Sequence, residues 1–474
     1  MADPIIILGA GPAGLACAYK ILKESGKRTL ILDKATFVGG AGASFRWKGH
    51  ILDYGPHAFH TRGDEPEQLV RSLFSSDPSL LIEGRKQVHV YLKNKRFRYP
   101  LQVGEALLKF NPFLSLRIIL EFFLTSIFHA IVSIPIDNFE NWGRKRFGST
   151  LYQMSFGDYT EKVWKTKPSK ISEKFASEKI QGFSFVNLLK RLLRIGGQVT
   201  EPYYQTWIYH KYGSGQLYGK LADEIRALGG EILLGTQLKS INACGDRVAS
   251  VSIEREGQRT EIPCSRLVSS IGLPQLISLF GSDLPFTVRH AASKLSYTSL
   301  ILVYIEFAQQ RVSDDHWFYL LEKKFKFNRV TEQKNLSSHT AEPGKTVLMF
   351  ELTCRKDDEY WKMSDEEIFR LARQDCEGVN FIQTDKITGY LVKRVPDVYE
   401  IYYKNFDQHA EMALAYLNEF TNVVSIGRRG LFLQGDMHQA VEMGLKMGSL
   451  LCQEPLDASA IQRFYRKYVR YVEI

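Results

Sequence analysis

A run of four apolar residues, Ile5-Ile6-Ile7-Leu8, breaks directly into Gly9-Ala10-Gly11-Pro12-Ala13-Gly14, and no other junction constrains the fold as much. A short, wholly apolar run ended by glycine reads as a parallel strand buried on both faces. Small and apolar residues at helical spacing follow from Ala13 to Lys23. Ser25-Gly26-Lys27 stops them, and Thr29 to Leu32 reads as a second strand. In such a βαβ unit Gly9 permits the tight turn, Gly11 lets backbone approach a pyrophosphate, and Gly14 lets the helix pack on the sheet. The helix start then offers free N–H groups and a positive dipole end to phosphate. Asp33 closes the second strand 19 residues after Gly14, where its carboxylate can accept from a ribose hydroxyl and would repel a 2′-phosphate. Ala13 within the loop and Lys34 beside the acid complete this candidate cofactor-binding set.

Later segments look like further pieces of the same domain. Gly213 to Gly230 reads as a turn and helix, Glu231 to Leu234 as a strand, and Arg247 to Glu254 with Glu261 to Pro263 as a hairpin. Leu267 to Ile271 and Val423 to Ile426 are two more apolar strands. The expected fold is α/β: a Rossmann-like domain in three segments, 1–97, 207–285 and 423–474. An inserted, mixed α+β substrate domain would take 98–206, mainly helical, and 286–422, richer in strand. At 474 residues, two such cores are feasible.

Composition limits the partners. Lys plus Arg exceed Asp plus Glu by 62 to 52, which favours anionic small molecules or an acidic membrane surface. Nucleic acid is not expected, because no zinc spacing, helix-turn-helix signal or RNP-type aromatic pattern accompanies the scattered basic residues. The six cysteines (Cys17, Cys244, Cys264, Cys354, Cys376, Cys452) lie far apart without CxxC pairs, so a reducing cytosol is the simplest home and no metal site is expected. Met1-Ala2-Asp3-Pro4 runs straight into the first strand and does not read as a signal peptide. Phe110 to Ile136 is the most apolar stretch, but Arg117, Glu121 and His129 interrupt it. The expected reading is a buried helix pair, with peripheral membrane association beside Arg144, Lys145 and Arg146 as the alternative.

Residues outside the first loop choose the dinucleotide. Gly39-Gly40 forms a second glycine pair shortly after the ribose acid. Near the C-terminus, Ile426-Gly427-Arg428-Arg429-Gly430 and Gln434-Gly435-Asp436-Met437-His438 precede a helical run to Leu451. Together with these, Gly55-Pro56-His57-Ala58-Phe59-His60-Thr61, Tyr159-Thr160-Glu161-Lys162-Val163-Trp164 and Arg329-Val330-Thr331-Glu332-Gln333-Lys334 give motifs in an order that resembles the FAD-dependent superfamily of protoporphyrinogen oxidases, amine oxidases and UDP-galactopyranose mutase. The local likeness is greatest to the mutase.

That resemblance implies FAD held by Gly9, Gly11, Ala13, Gly14, Asp33, Lys34, Gly39, Gly40, Arg428, Asp436 and Met437. It implies a substrate cleft lined by Tyr159, Trp164, Tyr209, Arg329 and Gln434, and His57, His60 and Arg329 as catalytic candidates. Tyr203 and Tyr204, with Tyr209 and Tyr212, lie in a stretch similar to one in uncharacterised oxidoreductases of the superfamily. Gln434 departs from the mutase pattern, which has a phosphate-binding tyrosine there. The function implied is an FAD-dependent oxidoreductase passing hydride from a carbohydrate-like or lipid-linked precursor to flavin. The alternative is a mutase-like, non-redox ring contraction of a nucleotide sugar on reduced FAD.

Overall fold

In the computed structural model, which describes residues 2–132, 136–175, 206–281, 284–453 and 457–469, the chain divides into two units. One comprises Met1–Gly84, Thr206–Ser296 and Phe406–Ile474, the other Arg85–Gln205 and Tyr297–Asn405. These breaks differ from those expected at 97, 285 and 422. The helices Phe286–Lys294 and Phe406–Asn418 pack together inside the first unit, and the strands Val88–Leu92 and Lys95–Arg98 complete a sheet of the second. Tyr203 and Tyr204 lie outside the described residues.

The first unit is built on five parallel strands in the order Glu231–Leu233, Thr29–Leu32, Ile5–Leu8, Arg266–Ser269, Val423–Ser425. The central strand Ile5–Leu8 is buried throughout, as its unbroken apolar run requires. Each of the three chain segments supplies a strand, so this sheet closes only when the N-terminal, middle and C-terminal stretches have all arrived. The helix Pro12–Ser25 packs along the C-terminal helix Met437–Cys452. A Cβ at Gly444 would lie 2.3 Å from the Ala13 carbonyl oxygen, and one at Gly448 would lie 2.6 Å from the Lys20 Cβ. The G-x-x-x-G spacing puts both glycines on one helix face and lets two backbones nearly touch.

The second unit carries a seven-stranded sheet in the order Ile387–Ile401, Ser296–Phe307, Thr346–Cys354, Arg329–Glu332, Trp317–Leu320, Val88–Leu92, Lys95–Arg98. One face of it, with Val303, Phe318, Val330 and Phe350, meets Ile368, Ala372 and Cys376 of the helix Asp365–Glu377 in an apolar core. Strand alternation turns Trp317, Tyr319, Arg329, Thr331 and Glu351 to the opposite face.

The apolar stretch after Phe110 departs from its expected burial. It forms the helix Pro112–Ile131, whose first 18 residues are long and apolar enough to cross a membrane, yet Phe113 is 84% and Leu124 65% exposed.

The glycine contact yields the first prediction. Gly444→Val should destabilise the protein by about 3 kcal/mol in chemical denaturation, because the new side chain overlaps backbone that cannot move aside.

Candidate functional site

Two glycine turns meet at the end of the first unit's central strand. Gly9 takes φ 102° and its N–H donates to the Leu32 carbonyl at 2.8 Å. A Cβ on Gly14 would sit 2.0 Å from the Gly9 oxygen, so any side chain there would push the helix off the turn. Gly11 has open space where a Cβ would be, and it leads into a helix start with no side-chain cap. Uncapped N–H groups beside open space are what a phosphate ligand needs. The second turn docks onto the first: Gly39 N–H donates to the Ala10 carbonyl at 2.8 Å, and a Cβ on Gly40 would come within 3.4 Å of the Gly11 Cα.

Asp33 stands where the βαβ reading put it, and it also serves the loop. Its Oδ2 accepts from Ala10 N–H at 2.7 Å and its Oδ1 from Ala35 N–H at 2.8 Å. Each oxygen therefore keeps one lone pair for a further donor such as a ribose hydroxyl. Lys34 beside it is exposed, and Ala13 is buried at the helix start, where a Cβ on Gly427 would lie 2.8 Å from its own.

A buried carboxylate holds the second glycine turn, and sequence reasoning missed it. Asp53 is fully buried at the end of the strand His50–Asp53, accepting from Ser44 Oγ and Tyr209 Oη, each at 2.5 Å, and from Ser214 N–H. Ser214 Oγ in turn donates to the Gly42 carbonyl at 2.8 Å, which fixes the stretch following Gly39-Gly40. Burial pushes the Asp53 carboxyl up to about 6, opposed by the bonds from Ser44, Tyr209 and Ser214. Tyr209 is accordingly not a substrate wall. It is wholly buried and its hydroxyl is committed to Asp53. A lone acid closing a buried strand was the available signal.

At the C-terminal segment, Arg428 is half-buried in the turn of helix Gly427–Gly430. Asp436 is the exposed N-cap of Met437–Cys452, and Gln439 Oε1 accepts from its N–H at 2.9 Å, so its position is that of a capping residue. Met437 Sδ accepts from the buried Tyr218 hydroxyl at 3.1 Å, against Gly42. Gln434 is half-buried. The His60 ring lies edge-on to His438 at 5.8 Å, with Phe59 also edge-on to His438 at 6.3 Å. Burial, then the Arg62 charge, pushes His438 down to about 4, so it is neutral at ordinary pH. The His57 ring folds over Gly55, where a Cβ would lie 2.8 Å from Nε2.

In the second unit, Arg329 and Tyr159 come together and Trp164 does not join them. Arg329 donates through Nε and Nη2 to the two Glu351 oxygens at 2.6 and 2.7 Å, a bidentate pair with no net charge. Arg329 was expected to line the substrate cleft and to act as a catalytic cation; this pairing occupies two of its five N–H donors and balances its charge. Burial pushes the Tyr159 hydroxyl well up, so it is protonated, and its ring stands edge-on to Tyr319 at 6.0 Å. Tyr99 lies on Tyr319 at 4.8 Å, and Trp317 Nε1 donates to the Tyr319 hydroxyl at 3.3 Å. Trp164 is buried, edge-on to Phe175 at 5.2 Å and Tyr399 at 6.1 Å, so it packs the core. Lys162 between them is buried as well. Its Nζ donates to the carbonyls of Leu320, Glu322, Phe325 and Phe327, tying helix Asp158–Trp164 to the loop before Arg329.

Residues 12–443 match the model of the flavin containing amine oxidoreductases. The chain belongs to this family. Solved structures show the same fold: a reduced UDP-galactopyranose mutase (TM-score 0.82, 18% identity, covering 98% of each chain) and cyclohexylamine oxidase from Brevibacterium oxydans (TM-score 0.66, 14% identity, 96% of this chain and 99% of that one). A putrescine oxidase is similar too (TM-score 0.61, 14% identity, 95% and 98%).

As a flavin-containing oxidoreductase the chain is an enzyme whose cofactor is FAD. The first unit fits that group on its own geometry, through open space above Gly11, an uncapped helix start and a strand-end carboxylate with spare lone pairs.

Two expectations follow. Gly14→Ala should abolish copurifying flavin colour, because a methyl 2.0 Å from a carbonyl oxygen must displace the helix start. For Asp53, the folded state binds more protons than the unfolded between about pH 4 and about pH 6, so this group's contribution to stability falls as pH rises through that interval. Between about pH 4 and about pH 7, wild type should lose about 2 kcal/mol relative to Asp53→Asn, measured by denaturation at each pH.

Proposed function

We propose that this flavoenzyme is a redox enzyme that oxidises a carbohydrate-like or lipid-linked substrate, with the tyrosine-lined face of the second unit as its substrate-binding surface. The observation that carries the reading is the bidentate Arg329–Glu351 pair. It leaves that face without net positive charge beside Tyr159 and Tyr319, and so suits a neutral, ring-bearing molecule better than a diphosphate. Bound FAD supplies two-electron acceptance of hydride from substrate carbon. The chain's own part is to hold the sugar-like ring against Tyr159 and Tyr319 and to orient a hydroxyl through the edge of the Arg329–Glu351 pair. On the first unit, the imidazoles of His57 and His60 are the groups we assign to proton transfer.

A second reading is ring contraction of a nucleotide sugar on reduced FAD. The order of the His57-to-Thr61, Tyr159-to-Trp164 and Arg329-to-Lys334 motifs, together with the fold shared with the mutase, favours it. The buried Trp164, the neutralised Arg329 and the glutamine at position 434 weigh against it.

Anaerobic mixing with a panel of sugars, nucleotide sugars and amines separates the two. Bleaching of the flavin bands by a hydroxyl-bearing sugar, with turnover that requires an electron acceptor, is expected, whereas bleaching by amines alone would overturn the substrate class. Tyr319→Ala should raise KM by about three- to tenfold with a smaller change in kcat. No bleaching by any class, with turnover only after dithionite reduction and no acceptor consumed, would replace this reading with the second.

A further inference from the structure

The helix Pro112–Ile131 exposes a continuous apolar stripe. Phe113, Leu116, Leu120, Leu124, Ile127 and Ile131 recur at intervals of three and four, so they share one face, and their exposures run from 53% at Leu120 to 84% at Phe113. Ile118, on the other side, is 1% exposed. Isolated exposed leucines are ordinary, but an unbroken stripe along a 20-residue helix about 30 Å long is not.

We propose that this stripe docks the enzyme on an anionic bilayer, with the helix lying in the plane of the interface. Charge selects the occupant. Residues 85–150 hold eleven Lys and Arg against four Asp and Glu, most of the chain's net excess of +10. The helix Phe139–Phe147, which packs against the apolar helix, ends in Arg144-Lys145-Arg146, and the exposed Arg146 covers the Trp142 ring at 4.6 Å. An apolar stripe beside a basic cluster matches acyl chains beside anionic headgroups, whereas a second copy of the same face would bring like charges together.

The flank explains why the helix lies flat although it is long enough to span. Near its middle, Glu121 accepts from Arg117 Nε at 2.8 Å, from Thr150 N–H at 2.7 Å and from Thr150 Oγ1 at 2.8 Å. Gly148, at φ 73°, brings the following turn so close that a Cβ would lie 3.4 Å from the Glu121 backbone. A spanning helix would drag this polar bracket and the Phe139–Phe147 helix into hydrocarbon, at a cost of several kcal/mol for each unsatisfied polar group. An in-plane helix keeps the bracket on the protein side and buries only the stripe.

The test is cosedimentation of the flavin-loaded full chain with phosphatidylcholine vesicles, with and without phosphatidylglycerol. Binding to the anionic vesicles that weakens with added salt is expected. Leu124→Glu combined with Ile127→Glu should cut it by roughly tenfold or more, with flavin spectrum and Tm unchanged because both positions are exposed. Lys145→Ser combined with Arg146→Ser should weaken binding by about tenfold, and only where phosphatidylglycerol is present. Failure of the wild type to sediment with anionic vesicles would overturn the proposal. So would full binding by the Leu124/Ile127 double variant, or a dimer in solution that the double variant splits.

Discussion

The contact on which the first unit depends is the near-touching of two helix backbones, Pro12–Ser25 and Met437–Cys452, across Gly444 and Gly448. Helices with side chains at the contact usually stay 8–10 Å apart. Removing them at two positions one turn apart lets the N-terminal glycine loop and the start of the C-terminal helix occupy neighbouring space. Gly427, whose added Cβ would strike Ala13, repeats the device one element earlier. The glycine turns can then present backbone N–H groups to a dinucleotide from a rigid base, where a looser packing would leave a flexible loop to be ordered at entropic cost.

Buried charge is managed differently in the two units. Asp53 is surrounded by neutral donors from Ser44, Tyr209 and Ser214, so its ionisation is tolerated but not compensated by a cation. Arg329 and Glu351 neutralise each other with two parallel bonds. The first arrangement ties loops to a sheet edge. The second leaves a polar but uncharged patch among tyrosines. Removing one partner from either would leave a buried group uncompensated, which is the costly outcome for polar cores.

The βαβ unit was legible because its signals are local: an apolar run, three glycines at fixed spacing and an acid at the next strand end. Helix and strand positions around Gly213, Glu231, Arg247 and Val423 could be read for the same reason. What could not be read depends on pairing between distant residues. Tyr209 looks like any ligand-stacking tyrosine until Asp53, 156 residues away, is seen to take its hydroxyl. Arg329 looks like a free cation until strand register sets Glu351 beside it. The apolar helix was expected to be buried because hydropathy reports how apolar a segment is and not what covers it. Gly444 and Gly448 did carry a readable signal in their spacing, but a G-x-x-x-G pattern in a closing helix acquires meaning only with a partner helix.

The five-stranded sheet draws its strands from the start, middle and end of the chain, with Ser270 Oγ donating to the Leu8 carbonyl at 2.9 Å across 262 residues. During synthesis the opening strand therefore leaves the ribosome long before either later segment of its sheet exists. Strand Ile5–Leu8 waits through about 260 residues for its partner Arg266–Ser269, and the face of helix Pro12–Ser25 that will meet Gly444 waits through more than four hundred, a long interval for apolar surface. A chain wired in this way gains a cradle locked by three separate segments, at the cost of apolar surface that waits uncovered while the last helix is being made.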